Sequence, residues 1–361
     1  MPGYMTLSLQ GDHYSMGRQH GHQVRHLLPP IADLIAARLR EVEALSPDAH
    51  FQALYQETRE LIEEIDRPLS DLIRGQADAL GIEFDTLLRC NLAGNLSDGL
   101  IIRKHLGNMD CTTWAAAGLA TAGGRPILAK NRDSSPEHLR LQCVIRARPE
   151  SGYRYLYISS AGCPGVYCAG LNQAGLAVAD THVYSTDLGP GLPDYSLMMH
   201  ILESHDTVSS AIDYLRSVPR LGRHNLILAD THASLAIFEI GHRTFGLREA
   251  SNGTLVSTNH FVSPEMQASF VDVAPAEERG SSQQRFGRTI QKLDAAFGHI
   301  DVAMAQRLMA SHDGPLASIC CHPKANGGSS TISTGIFLPA QQQMLFCHGL
   351  PCQGHWDTYQ V

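Results

Sequence analysis

Residues Met109 to Asp133, MDCTTWAAAGLATAGGRPILAKNRD, divide the chain into two differently patterned parts. Thr112 and Thr113 are β-branched and favour an extended chain directly after Cys111. The run continues to Leu119, turns over Thr121–Gly124 and returns through Pro126–Asp133, which reads as a β-hairpin. Centring the loop brings Cys111 within a residue or two of Asp133, and Asn131 shares a face with Asp133 because the two are two apart. A thiol, a carboxylate and an amide are thus expected to converge at the open end of one hairpin. The plainer alternative makes Cys111 an inert buried thiol and Asp133 a turn residue ahead of Ser134-Ser135-Pro136.

Working outward, the hundred residues before this hairpin are helical in pattern. Met16 to Leu45 carries apolar residues at helical spacing, with Pro29-Pro30 expected to kink or split it. Asp48 is placed to cap a helix running through Ile65, and shorter helices are expected near Leu69–Leu80 and Phe84–Leu96. After Cys111 come short β-rich runs: LQCVIRAR, YRYLYISS, GVYCAGLN, GLAVADTHV, HNLILAD, SLAIFEIG and GTLVSTN. Asn172–Gly175 reads as a hairpin loop. Helix pairs are expected at Tyr195–Glu203 with Thr207–Arg216, and at Ser282–Phe297 with Asp301–Ser311, before strands at Ser330–Phe337 and Gln343–Cys347. Val271–Ser282 is the best candidate for a surface loop. A helical block followed by strands and helix pairs predicts an α+β protein in which helices cover stacked sheets.

Composition narrows the function. The 361 residues are 43% hydrophobic and 18% charged, as in ordinary soluble domains. A formal charge of -8 supplies no basic field for nucleic acid or anionic lipid. No apolar run approaches the roughly 18 residues a membrane helix needs, and the first residues lack a signal peptide's basic and apolar regions. A cytoplasmic location is the expectation. Nine cysteines without a C-x-x-C pair argue against a disulfide framework and a structural zinc site. His13, His20, His22 and His26 suggest a metal cluster, but no carboxylate or cysteine completes a set, and a polar helix face is the better reading. The adjacent Cys320 and Cys321 read as buried packing, and neither metal nor cofactor is expected.

The segments Met109–Thr113 and Ala129–Asp133 resemble the acyl-coenzyme A:6-aminopenicillanic acid acyltransferase family of self-cleaving N-terminal-nucleophile (Ntn) cysteine hydrolases. The likeness continues in Gly11…Met16-Gly17…Gly21, in Gly170–Leu176, in Ser257-Thr258-Asn259-His260 and in Ser282-Gln283-Gln284-Arg285. Ser318-Ile319-Cys320 with His322, and Gly349-Leu350-Pro351-Cys352, are similar to its C-terminal blocks. The resemblance implies a four-layer αββα Ntn core over residues 111–361, with residues 1–110 a helical pro-region that stays bound as a small subunit after cleavage. It implies Cys111 as nucleophile, Asp133 as its carboxylate, Asn259 as oxyanion donor, and Arg285 and Ser282 as residues that mature or order the site. Three positions depart from the pattern. Lys130 stands where the bile-salt branch carries Arg, His182 near where it places Asn or Tyr, and Asp110 where Gly precedes the nucleophile.

The chemistry wants these residues. A thiol with a pKa near 8.5 is only a few per cent ionised at neutral pH, so it needs a base. An N-terminal cysteine carries one in its own α-amino group, whose ordinary pKa of about 7.7–8.0 suits the task. Breaking Asp110–Cys111 would create that base. The expected substrate is an N-acylated small molecule, with an acceptor amine or acyl-CoA as a possible second partner. Trp114, Lys130 and His182 are candidate substrate-binding residues, Trp114 as core first and pocket wall second. An ester- or thioester-directed acyltransferase and an unprocessed binding protein are the alternatives.

Overall fold

The computed structural model describes residues 4–45, 49–96, 111–274, 276–323 and 328–361. The first part holds strand β1 (Met5–Gly11) and helices α1 (His13–Val24), α2 (Leu28–Leu45), α3 (Ala49–Ile65), α4 (Arg67–Leu80) and α5 (Phe84–Leu96). The expected break falls ahead of the prolines. Arg25–Leu27 forms a 3-10 turn and α2 begins at Leu28. Pro29 and Pro30 therefore occupy the first helical turn, where their missing N–H groups would have had no partner anyway. The cap expected from Asp48 lies outside the described residues.

From Cys111 onward the chain forms β2 (Thr112–Gly118), β3 (Gly124–Ser134), β4 (Gln142–Pro149), β5 (Tyr155–Ser160), β6 (Ala169–Asn172) and β7 (Ala177–His182). Helices α6 (Asp194–Ser204) and α7 (Val208–Ser217) precede β8 (His224–Ala229), β9 (Ser234–Ile240), β10 (Phe245–Ser251) and β11 (Thr254–Ser257). Then come α8 (Pro264–Gln267), α9 (Ser281–Ala295), α10 (Val302–Met309), β12 (Ser330–Leu338), β13 (Gln343–His348) and β14 (Trp356–Gln360). One sheet runs β1-β4-β5-β6-β7-β8-β9-β10 and the other β11-β2-β3-β12-β13-β14.

The four layers follow from period-2 alternation. Leu128, Val144, Leu156, Ile158 and Phe337 share one core between the two sheets. Their chain neighbours Ile127, Ala129 and Ile336 point the other way, into a core with Leu293 of α9 and Leu308 of α10. Cys143, Ile145, Tyr155 and Tyr157 point outward from the larger sheet, into a core shared with the N-terminal helices and with α6 and α7. The order is helix, sheet, sheet, helix. Strand β1 and helix α1 tie the N-terminal part into this stack. α1 crosses α4 at glycines: a Cβ on Gly17 would meet the Leu72 carbonyl oxygen at 2.1 Å, and one on Gly75 the Tyr14 carbonyl oxygen at 2.1 Å.

Strand β1 was not read in the sequence. It pairs in parallel with β4, Met5 opposite Cys143 through Gly11 opposite Pro149, and forms the rim of the larger sheet. Its outer backbone is covered by side chains of α1. Gln19 donates to the Gln10 carbonyl (2.7 Å) and accepts from its N–H (2.8 Å). Gln23 does the same at Ser8 (2.9 and 3.3 Å). The two glutamines are four apart on the helix, and their targets two apart on the strand.

Strand registers then aim the site. Thr112 pairs with Asn131 and Thr113 with Ser257, so β3 and the chain leaving β11 reach the same sheet end as Cys111. No helix among the described residues is long and apolar enough to cross a membrane.

Candidate active site

Cys111 is buried at the mouth of the β2–β3 hairpin. Its thiol points to the backbone carbonyl of Asp133, with a long sulfur contact of 3.9 Å. Asn131 lies on the helix side, where its amide donates to the Met309 and Ile319 carbonyls (both 2.9 Å) and accepts from Thr334 (2.7 Å). Asp133, two residues on, shares that face by strand alternation.

Lys130 approaches the thiol from the space between the sheets. It is only 1% exposed, and its ammonium donates to the Asp180 carbonyl oxygen (2.5 Å) and lies 3.2 Å from the Asp180 carboxylate. Burial opposes the Lys130 charge, but Asp180 first and Cys111 next outweigh it and raise the pKa. Burial raises the Cys111 thiol, Lys130 pulls it down, and the Asp133 and Asp180 carboxylates push it up. The thiol is thus the favoured form, and Lys130 is the neighbouring cation that favours its ionisation.

Arg285, from the second turn of α9, joins the distant parts. One guanidinium nitrogen donates to the Cys111 carbonyl oxygen (2.6 Å) and the Thr112 hydroxyl (2.9 Å), and the other to Asn259 Oδ1 (2.9 Å). Arg285 is 1% exposed, so these are charge-assisted bonds in a dry setting. With its oxygen held by Arg285, the Asn259 amide turns its nitrogen to the His182 carbonyl (3.0 Å). The segment carrying Asn259 is fastened from below, because Asn225 donates to the Thr258 and His260 carbonyls (3.1 and 3.2 Å) and Thr181 to the Thr258 carbonyl (2.9 Å).

The remaining expectations fare differently. Trp114 is fully buried in the core beneath α9 and α10, its indole N–H on the Met309 sulfur (3.1 Å). It is core and not pocket wall, since even-numbered β2 residues face the helices. Ser282 bonds to His260 Nδ1 (2.8 Å) and Thr258 Oγ1 (3.0 Å), so it braces the Asn259 segment rather than touching Cys111. Burial, with Arg285 and Arg248 nearby, pulls His260 down to about 4, so the ring is neutral. The His182 ring is buried and accepts from Arg223 at Nδ1 (2.9 Å), because a guanidinium only donates. Burial, then Arg223 and Lys130, hold it well below the usual histidine range. Asp110 lies outside the described residues.

The N-terminal histidines do not form one polar face. His20 is buried between the Gly162 N–H (3.2 Å) and Gln76 (2.8 Å), while His13 meets Glu203 (3.0 Å). Sequence reasoning missed Asp180, His224 and Asp194, whose His224 nitrogens lie 3.7 and 3.5 Å from the two carboxylates. No short motif links those three positions.

Two cavities meet at Arg285. One, about 40 Å³, runs beneath Val271–Val273 and reaches Asn259. The other, about 270 Å³, extends from Arg285 past Leu316 to Cys320 and His322. Residues of the loop expected over Val271–Ser282 line the first, and that loop ends earlier than expected because Ser281 and Ser282 open α9.

Residues 120–353 match the family model of acyl-coenzyme A:6-aminopenicillanic acid acyl-transferase, well over half of the chain. The chain belongs to this family. The matched span includes Lys130, Asp133, His182, Asn259, Ser282 and Arg285, and it begins after Cys111. No curated protein matches the sequence. Among solved structures the chain is similar to a mutant conjugated bile acid hydrolase from Clostridium perfringens, at 12% identity and a TM-score of 0.49, over 70% of this chain and 97% of that one. A second variant of that hydrolase gives 13% and 0.47 over the same shares. Penicillin V acylase from Agrobacterium tumefaciens gives 15% and 0.39, over 71% of this chain and 80% of that one.

Proposed function

We propose that this protein is a cysteine amidohydrolase or N-acyltransferase that activates itself by cutting Asp110–Cys111. The observation that carries the reading is the Arg285 bridge, which holds the Cys111 carbonyl and the Asn259 amide in one guanidinium fork. A merely structural cysteine has no need of a buried cation that also orients an amide. Family membership supports acyl chemistry on an N-acylated small molecule.

In the first step the Cys111 thiol attacks the Asp110 carbonyl carbon, and the peptide nitrogen leaves as the new α-amine. Water then opens the thioester and frees the Asp110 carboxylate. In turnover the α-amine takes the thiol proton, the sulfur attacks the substrate's acyl carbon, and the amine leaves with that proton. Water or an acceptor amine completes the cycle. The second hydrogen on Asn259 Nδ2 is the one offered to the oxyanion; one such donor is worth roughly 3–4 kcal/mol of barrier. Asp133 orients the α-amine. Residues 1–110 stay bound as a subunit, since β1 and the N-terminal helices bury apolar surface against the sheet.

Intact-mass measurement and N-terminal sequencing of purified protein test this. The expected result is two fragments, the larger beginning at Cys111, and a single uncut chain for Cys111→Ala. A full-length chain that turns over N-acyl amines would overturn the mechanism. A panel of N-acyl amines and amino acids, read by product mass, assigns the substrate class and separates hydrolysis from transfer.

A further inference from the structure

Beyond Arg285, the larger cavity is lined by His312, Cys320 and His322, which form with Cys352 a cluster that the acyl chemistry does not use. His312, Cys320, His322 and Cys352 each bring one nitrogen or sulfur to a common point, all four atoms lying within 4.8 Å of one another. The Cys320 and Cys352 sulfurs are 3.7 Å apart, and His322 Nε2 is 3.2 Å from the Cys352 sulfur. A tetrahedral zinc site, with Zn–S near 2.3 Å and Zn–N near 2.0–2.1 Å, puts its sulfurs about 3.8 Å apart and sulfur and nitrogen about 3.5 Å apart. The observed spacings are close to those edges.

The carriers of the four groups are fixed independently of any ion. The Ser311 carbonyl accepts from both the Ile319 and Cys320 N–H groups (3.1 Å each), which closes the loop holding His312 against Cys320. Cys321 exchanges bonds with Thr331 of β12, donating its N–H to the hydroxyl (2.9 Å) and accepting the Thr331 N–H (2.8 Å). The Gly349 N–H donates to the Ile332 carbonyl (2.8 Å), and a turn from Leu350 to Gln353 then presents Cys352. Two segments, the His312–His322 loop and the turn carrying Cys352 thirty residues on, are thus anchored before their side chains meet. That separation is why a search for C-x-x-C spacing passes over them.

We propose that these four residues bind a zinc ion. Two thiols and two imidazoles are the donor set of a structural zinc site, and protein groups fill every position, leaving none open for a substrate. Zinc entry displaces one proton from each thiol and takes neutral imidazoles. The ion clips the His312–His322 loop, one wall of the larger cavity, to the Leu350–Gln353 turn. It therefore sets the shape of the space next to Arg285 without entering the reaction.

The test uses full-length protein purified with a non-thiol reductant and without chelator. Metal analysis by mass spectrometry should find one zinc per chain in the parent and equally in Cys111→Ala, so the result does not depend on the proposed nucleophile. Cys352→Ser, a change at an exposed position, should keep its circular dichroism and bind zinc about 100-fold more weakly in competition with a chromophoric chelator. Cobalt loaded into the parent should give tetrahedral visible bands with a thiolate charge-transfer band, both lost in His322→Ala. A parent holding no more zinc than a Cys320→Ser/Cys352→Ser double variant overturns the proposal. So does an intact mass showing Cys320 and Cys352 joined as a disulfide under those conditions.

Discussion

Replacing Arg285 by Lys keeps a positive charge where α9 meets β2 but cannot keep its geometry. The guanidinium serves Cys111 O, Thr112 Oγ1 and Asn259 Oδ1 from two nitrogens at 2.6, 2.9 and 2.9 Å. One ammonium on a flexible stem lacks the planar fork. If it keeps one of the three acceptors, two buried acceptors lose their donor at roughly 1–3 kcal/mol each, or about 2–6 kcal/mol together. Part of that loss is stability, read by urea unfolding of the uncut Cys111→Ala chain with and without Arg285→Lys. The rest is misplacement of Cys111, the proposed nucleophile, and of Asn259, and a shift of about 1 Å at reacting groups costs on the order of 100-fold in rate. The cleaved fraction on a gel and the kcat of that fraction alone separate maturation from turnover. We expect slower cleavage and a kcat about 100-fold lower, with KM little changed, because Arg285 binds the enzyme's own groups rather than substrate. Arg285→Lys protein that matures at the parental rate and keeps its kcat would refute the bridge as the organiser of the site.

Lys130→Met removes the cation that lowers the Cys111 thiol, so the pH profile of Cys111 alkylation should move upward, with slower labelling at neutral pH. An unmoved profile would mean that Lys130 serves only Asp180. Stability of the Cys111→Ala chain should fall with acid in a defined window. His20 and His260 are held near 4 when folded, mainly by burial, against about 6.5 unfolded. The unfolded chain therefore binds the extra protons: their contribution is complete above about 6.5 and is lost as pH falls toward 4, at up to about 1.4 kcal/mol per unit for each ring. Urea midpoints at pH 7 and 5 check this, and a flat response would contradict it.

The hairpin was legible because it is local: alternation and loop centring in residues 109–133 suffice to bring Cys111 to Asp133. What spacing could not supply was the face. Cys111 stands opposite Arg132, so its side chain shares the inter-sheet side with Lys130, while Asn131 turns to the helices. Arg285 lies 174 residues from Cys111, and only the family resemblance pointed to it. The strands that escaped, β1, β10 and β14, lie at or near sheet edges. Their Ser, Gln, Arg, Glu and Asp residues dilute the apolar alternation that marked the buried strands.

The pairing of Gln19 and Gln23 with the rim of β1 bears on how the protein behaves in a crowded solution. An open strand edge invites a neighbour's strand, and sheets joined that way grow into fibres. Here two primary amides imitate the next strand, each offering one N–H and one carbonyl at the repeat of a β-ladder. They do so from a helix that cannot itself be extended by another molecule. The growing end of the eight-stranded sheet is therefore occupied by side chains, and a chain stripped of β1 and α1 would present β4 as a bare template for self-association.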